Sequence, residues 1–168
     1  MDHLLFETKL AATDEGEVEA TGWPFATPDR VGDVIVKGAF ATTNYPIPML
    51  FGHDPSDPIG AWHFGEERED GLHLKGKLLV ADVQRAREVR ALINAGAVKG
   101  VSVGFRLKAA TRRLGGGRTI TSLELMECSF VTFPSHPGAQ VLSVKSAVRA
   151  LQLATVLNRA AAHFERKS

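Results

Sequence analysis

The chain has 168 residues, 44% of them hydrophobic and 23% charged, which is typical of a globular domain with a substantial core. Its formal net charge of +1 favours neither a nucleic-acid partner nor a membrane surface, and its single cysteine, Cys128, excludes a disulfide within the chain and suits a reducing compartment. The first residues lack the basic region and apolar core of a signal peptide, and no apolar run reaches the roughly 18 residues of a membrane helix. We therefore expect no nucleic-acid partner and no membrane partner.

The first two thirds of the chain are predicted to consist mainly of β-strands. Apolar and polar residues alternate there, and clusters of turn formers separate the alternating segments. The strand-like segments lie at residues 3–12, 17–25, 47–53, 59–67 and 72–80, with a shorter strand and a helical turn inside residues 34–43. Pro55 and Pro58 stiffen the turn that joins the segments 47–53 and 59–67.

One helix is predicted to interrupt the strands, at residues 82–95. Its apolar residues recur at helical spacing and form one face. These residues are Val83, Ala86, Val89, Leu92 and Ile93. Asp82 can cap the amino end of this helix, and Gly96 can follow its carboxyl end.

A long hairpin is predicted after the helix. The strand that contains Ser102 leads to a glycine-rich tip at residues 111–119, and a second strand at 120–133 ends before Pro134. Residues 146–168 then show helical spacing and a basic composition. We expect a mainly β fold with flanking helices: a closed antiparallel β-barrel in residues 1–145, followed by a basic amphipathic helix.

His53 is the first candidate for chemistry. It ends an apolar strand and precedes the proline-stiffened turn, a position that would fix the orientation of an imidazole. A histidine at such a place can also be purely structural and bind only the backbone. Another alternative is a metal site formed with nearby side chains, although no standard metal-ligand spacing is present. The residues of such a site would be His53, Asp54, Asp57 and His63.

Ser102 is the second candidate. Its strand, "KGVSVGF", alternates Val101, Val103 and Phe105 with smaller residues. A serine becomes a nucleophile only with a base within hydrogen-bond reach, and Gly104, two residues on, would leave room for a substrate on the same face. The alternative is a serine that merely fills a strand. No G-x-S-x-G motif is present, so the chain is not an obvious α/β-hydrolase.

Glu124 and Glu127 lie in a strand that is otherwise apolar. A carboxylate in such surroundings is costly unless it is paired, and an imidazole N–H is one natural partner. The alternatives are a pair with an arginine such as Arg106, or exposure to solvent. Simple alternation places the two glutamates on opposite faces, with Glu127 on the face of Leu123 and Leu125. This position favours Glu127 as the partner of a histidine.

In their order along the chain, these elements resemble the prohead maturation proteases of tailed bacteriophages, and through them the herpesvirus assemblin-type serine proteases. The stretches that carry the likeness are residues 29–40, 50–60, 100–105 with the helix before them, and 123–139. The resemblance covers roughly residues 5–145. It implies a barrel flanked by helices and a serine protease that needs no cofactor and no metal.

The resemblance also implies a role for each candidate residue. Ser102 would be the nucleophile, His53 the base and Glu127 the third member of the triad. His136 aligns less well with that third position. The backbone donors for an oxyanion, or the contacts to a substrate backbone, would lie at Gly104, Ser135 and His136.

The implied substrates are the scaffold or delta segment of a major capsid protein and the protease itself. The implied setting is the interior of a procapsid in the host cytoplasm, or the bacterial cytoplasm for a prophage gene, with self-association as a dimer or larger assembly. The tail, residues 146–168, could dock on the barrel, mediate that association, bind the capsid lattice or be removed by self-cleavage. A different class stays open, namely a catalytically silent barrel that acts as a capsid scaffold or assembly factor.

Overall fold

A computed structural model of the protein describes residues 16–144. The predicted strand at residues 3–12 and the predicted helix at 146–168 lie outside this range. Eight strands and one helix form within it. They are β1 (Glu17–Pro24), β2 (Val34–Ile35), β3 (Ile47–Phe51), β4 (Pro58–Glu67), β5 (Gly71–Leu78), α1 (Gln84–Asn94), β6 (Gly100–Arg112), β7 (Arg118–Val131) and β8 (Gln140–Val144).

Seven of these strands close into a barrel, which confirms the predicted mainly β fold. Their order is β7-β3-β4-β5-β1-β8-β6, and β6 pairs again with β7, while β2 adds to β7 as an eighth strand. The prediction of an entirely antiparallel barrel is wrong, because β2 and β3 both run parallel to β7. Parallel pairing needs a long connection, and the chain between β3 and β7 provides one that contains three strands and a helix.

Two large aromatic side chains pack against each other in the core between β4 and β7. Trp62 of β4 is fully buried, and its ring lies against Phe130 of β7 with 5.9 Å between the centroids. The indole N–H donates a 2.8 Å hydrogen bond to the carbonyl oxygen of Cys128, as a buried donor requires. These contacts hold the last third of β7 in place, and the candidate site residues lie on the other side of this segment.

Helix α1 begins later than predicted. Its N-cap residue is Val83 and no side chain caps it, so the prediction that Asp82 caps the helix is wrong. The backbone amides of Asp82 and Val83 both bind the carbonyl oxygen of Leu79, which makes this segment a turn before the helix. At the other end Gly96 has a φ of 76°, the left-handed conformation that commonly follows a helix.

A β-bulge in β7 decides which side chains face outward. Phe105 of β6 lies opposite Leu125, but Gly104 lies opposite Glu127, so Met126 is an extra residue without a partner. The alternation reverses there, because a shift of one residue moves each following side chain to the other face. Leu125 is therefore buried before the bulge, and Cys128 is buried after it.

The bulge corrects the prediction for the two glutamates. Glu127 does not share a face with Leu123 and Leu125, which are buried in the core. Glu124, which alternates with these two leucines, points outward, and the bulge turns Glu127 outward as well. The two glutamates therefore lie on the same face, although simple alternation had placed them on opposite faces.

Strand β8 was not predicted. It forms because Gln140–Val144 pairs with β1 along its length and with β6 at Gly100. The segment that joins β7 to β8, residues 132–139, passes Ser102 and contains Ser135 and His136.

Asp33 stabilises the loop between β1 and β2, residues 25–33, which lies beside the segment 132–139. Its buried carboxylate accepts hydrogen bonds from the backbone N–H of Arg118 at 2.8 Å and from the Arg118 guanidinium. These bonds, above all that of the guanidinium, hold the pKa of Asp33 below its usual range. The same loop donates from the backbone N–H of Arg30 to the carbonyl oxygen of Ser135 at 3.1 Å, so Asp33 indirectly supports the segment around Ser135.

We expect Asp33→Asn to lower the free energy of unfolding by about 2 kcal/mol at pH 7, the usual worth of a hydrogen-bonded buried charge. Because the folded-state pKa is lowered, this contribution is present above pH ~4 and is lost as the pH falls through the lowered value. Urea unfolding of both proteins at pH 7 and at pH 3 measures the difference. Equal stabilities at pH 7 would contradict this role of Asp33.

Candidate active site

His53 lies in the turn that follows β3. Parallel pairing sets Phe51 of β3 against Phe130 of β7, and the next two amides continue across this boundary. The N–H of Gly52 donates to the carbonyl oxygen of Phe130 at 3.0 Å, and the N–H of His53 donates to Ser129 Oγ at 3.1 Å. His53 has a φ of 62°, which is uncommon for a residue other than glycine. The hydrogen bonds to β7 hold the turn in this conformation.

The His53 imidazole binds the Glu127 carboxylate. Nδ1 lies 2.6 Å from Oε1 of Glu127, and the hydroxyl of Ser129 donates to Oε2, also at 2.6 Å. The Glu127 side chain is 14% exposed and that of His53 is 42% exposed. Because a carboxylate accepts hydrogen bonds, Nδ1 carries the proton, and Nε2 of a neutral ring is left as an acceptor. This is the arrangement of a base that an acid orients.

The hydrogen bond to Glu127 raises the pKa of His53, and partial burial of the ring opposes this shift. The other charged side chains near the turn are bound elsewhere. Arg85 of α1 donates to Asp57 at 3.0 Å, and Asp54 accepts from Ser56. Glu127 is therefore the acid that acts on the imidazole.

Gly104 makes room for this acid. It lies opposite Glu127 across the β6–β7 pair, and a Cβ atom at Gly104 would come within 2.1 Å of Glu127 Oε1. The sequence suggested that Gly104 leaves room for a substrate. In the structure the Glu127 carboxylate occupies that space instead.

We expect Gly104→Ala to displace the Glu127 carboxylate, since the far end of that side chain can move more easily than either strand. The contact between the Glu127 carboxylate and Nδ1 of His53 should then weaken, and the pKa of His53 should move down toward its ordinary value of about 6.5. Core packing changes little, so the free energy of unfolding should drop by less than about 1 kcal/mol. An NMR titration of the His53 ring and urea unfolding of the same preparation separate the two effects. An unchanged His53 titration in Gly104→Ala would contradict the assigned role of this glycine.

Ser102 lies on the same outer face. It is directly opposite Ser129 in the antiparallel pairing of β6 with β7, and directly opposed residues point to the same side of a sheet. The side chain is buried, and Oγ lies 3.5 Å from Oγ of Ser135. Within residues 16–144 no hydrogen bond joins Ser102 to His53. The structure thus brings Glu127 and His53 into contact. Ser102 lies on the neighbouring strand β6, opposite Ser129, whose hydroxyl binds the backbone N–H of His53.

His136 belongs to a different network. Its buried ring donates from Nε2 to the carbonyl oxygen of Thr27 at 3.1 Å and accepts at Nδ1 from the backbone N–H of Gly138 at 3.0 Å. Its edge packs on Trp23, with 4.9 Å between the ring centroids. The imidazole is thus used to hold the segment 132–139 against β1 and the loop after it.

Among the described residues, Glu124 forms ion pairs on the outer face of β7 and is not hydrogen-bonded to His53. Glu124 pairs with Arg106 at 3.4 Å and with Lys108 at 3.7 Å, so the arginine pairing considered for both glutamates occurs at Glu124. In the part of the chain that the structure describes, no three His, Cys, Asp or Glu side chains are grouped to hold a metal ion. In that part, no helix is long and apolar enough to cross a membrane.

Ser129 was missed by the sequence reasoning. It lies two residues after Glu127, so that an undisturbed strand brings both side chains to one face. A second polar residue at this spacing in an apolar strand was the available signal.

Comparison with known proteins gives a consistent result. The chain matches the family of caudovirus prohead serine proteases over residues 6–153. It is 31% identical to the prohead protease of Enterobacteria phage HK97 over 150 residues, which cover 83% of this chain and 66% of the relative. It is 33% identical to the capsid polyprotein of Pseudomonas phage PAJU2 over 127 residues, which cover 71% of this chain and 19% of the relative.

The chain therefore spans about two thirds of the HK97 relative and about a fifth of the PAJU2 polyprotein. The family match, by contrast, extends over most of the 168 residues and includes the whole barrel. On this evidence the chain belongs to the caudovirus prohead serine protease family, whose members are serine peptidases.

Proposed function

We propose that this protein is a serine endopeptidase in which Ser102 is the nucleophile, His53 the general base and Glu127 the acid that orients the base. The hydrogen bond of 2.6 Å between His53 Nδ1 and Glu127 Oε1 is the observation that supports the proposal most directly. It leaves Nε2 as the proton acceptor, on the outer face of the barrel where Ser102 lies. Membership of a serine protease family supports the same assignment.

In the proposed reaction, Nε2 of His53 takes the proton of Ser102 as Oγ attacks the carbonyl carbon of a peptide bond. Glu127 stabilises the imidazolium that forms, and His53 then gives its proton to the leaving amine. A water molecule hydrolyses the acyl-enzyme by the same route. No hydrogen bond joins the His53 imidazole to Ser102 within residues 16–144, so we expect this contact to shorten when a substrate binds. Catalytic hydrogen bonds are often long before substrate binds.

We assign stabilisation of the oxyanion to the backbone N–H groups of Ser135 and His136. The 3.5 Å contact between Ser102 Oγ and Ser135 Oγ supports this assignment, because the segment passes directly beside Ser102. Donors arranged there would meet the charge that develops on the carbonyl oxygen. The side chain of His136 is occupied by Thr27 and Gly138, so only its backbone would contribute.

The proposed substrates are the scaffold or delta segment of the capsid protein and the protease itself, cleaved inside the procapsid in the host cytoplasm. The description of the HK97 relative as a prohead protease and the match to a capsid polyprotein support this setting. Self-association, removal of the tail and the likeness to herpesvirus assembly proteases stay predictions.

Co-expression with the capsid protein of the same phage tests the proposed function. We expect the wild-type protein to cut the capsid precursor at defined sites, seen as discrete product masses, and a fluorophosphonate to label Ser102. His53→Ala should abolish both, because the serine then lacks its base. If wild type and His53→Ala leave the precursor equally intact in assembled proheads, the alternative of a silent assembly factor is favoured.

A further inference from the structure

The hydroxyl of Ser129 joins two parts of the proposed active site. It donates to Oε2 of Glu127 at 2.6 Å and accepts from the backbone N–H of His53 at 3.1 Å. A serine hydroxyl has one proton to donate and two lone pairs, so it can make both bonds at once. The Ser129 side chain is fully buried at 0% exposure, which shields the two bonds from competition by water.

The position of Ser129 follows from the pairing of three strands. On β7 it lies opposite Ser102 of β6 on one side and opposite Leu50 of β3 on the other. The end of β3 leads directly into the His53 turn, and Glu127 is two residues earlier on β7. Ser129 thus lies where the elements that carry Ser102, His53 and Glu127 meet.

The two hydrogen bonds act on different features of the site. The bond to Oε2 fixes the rotation of the Glu127 carboxylate and directs Oε1 at Nδ1 of His53. The bond from the His53 N–H stabilises a residue with a left-handed φ of 62°, a conformation that persists only where the surroundings impose it. Loss of the hydroxyl would release both the acid and the turn that holds the base.

We infer that Ser129 is a positioning residue of the proposed active site, whose hydroxyl aligns the Glu127 carboxylate with His53 and anchors the His53 turn to β7. This inference rests on the proposed function for its catalytic meaning. Its structural content can be tested without catalysis.

The test is an NMR titration of the His53 Cε1–H signal in a Ser102→Ala background, which prevents self-cleavage. Ser129→Ala is compared with Ser122→Ala, the same change at another serine of β7. We expect Ser129→Ala to move the pKa of His53 down toward its ordinary value near 6.5, because the misaligned carboxylate no longer supports the imidazolium. Ser122→Ala should leave it unchanged. An unchanged titration in a folded Ser129→Ala protein overturns the inference.

Kinetics give a second readout. With Ser102 restored, Ser129→Ala should lower kcat about tenfold to a hundredfold with little change in KM. In a Glu127→Gln background the same change should cost much less, since residues that act through one another are not additive. Equal losses in both backgrounds overturn the inference. An inactive wild-type protein would remove the proposed function and leave the titration result standing.

A folding control completes the test. Thermal unfolding shows whether Ser129→Ala retains the barrel. If it does not, Ser129→Cys replaces it, because a thiol leaves no cavity at this position but is only a weak hydrogen-bond donor. The pKa of His53 should fall in Ser129→Cys as well. A folded Ser129→Cys protein in which the pKa of His53 is the same as in the parent protein counts against the inference.

Discussion

Replacement of Ser102 by alanine is expected to slow cleavage of the capsid precursor by at least about 10⁴-fold, the scale of losses when a serine protease loses its nucleophile. The fold should survive. The change removes one oxygen atom, whose one side-chain hydrogen bond within the described residues is the 3.5 Å approach to Ser135. A single weak hydrogen bond is worth about 1 kcal/mol or less. A small effect on the free energy of unfolding combined with a large effect on rate identifies a chemical role.

Intact-mass measurement of precursor and products over time measures the rate in co-expressing cells. Ser122→Ala is the matched control, because it makes the same change on the neighbouring strand and should cleave at the wild-type rate. Near-normal cleavage by Ser102→Ala would remove the nucleophile assignment, whatever the other variants show.

Replacement of Glu127 by glutamine should lower kcat by about 10²–10⁴-fold. Glutamine keeps the shape of the side chain and can still contact Ser129, but it carries no charge. The imidazolium that forms at His53 then lacks its stabilising partner, and an amide NH₂ group turned toward Nδ1 would favour the wrong tautomer. The effect should be smaller than that of Ser102→Ala, because the nucleophile and the base remain.

This variant should also change the pH dependence of the reaction. The hydrogen bond to Glu127 is the main cause of the raised pKa of His53, and only the neutral imidazole can accept the proton of Ser102. The wild-type rate should therefore fall on acidification at a pH above the ordinary histidine pKa of about 6.5. In Glu127→Gln the remaining activity should fall at a lower pH.

Glu124→Gln is the matched control for this prediction. Glu124 lies on the same strand and the same outer face, and its partners are Arg106 and Lys108. Its loss should change kcat by no more than about twofold, because exposed ion pairs contribute little. A fast Glu127→Gln together with a slow Glu124→Gln would transfer the role of the acid to Glu124.

Local patterns in the sequence determined most of the strands, the helix and the hairpin. The alternation from Leu72 to Leu78 predicts β5, and the spacing of Ala86 and Val89 predicts the buried face of α1. Gly96 marks the end of that helix because a left-handed residue is needed there. These features depend on residues that are close along the chain, so they can be recognised without knowledge of the fold. The order of such elements also led to the family.

Only the tertiary structure decided how these elements meet. The pairing of β6 with β7 leaves Met126 without a partner, which forms the bulge. Because of this bulge, Glu127 lies on the face opposite to the predicted one. The role of Gly104 changed for the same reason, since the carboxylate that fills its space comes from the opposite strand. The parallel pairing of β3 with β7 brings His53 over Ser129. Local features of three separate segments, together with the family resemblance, point to the candidates Ser102, His53 and Glu127. Contacts between them depend on pairing among strands far apart in the chain, which no local pattern encodes.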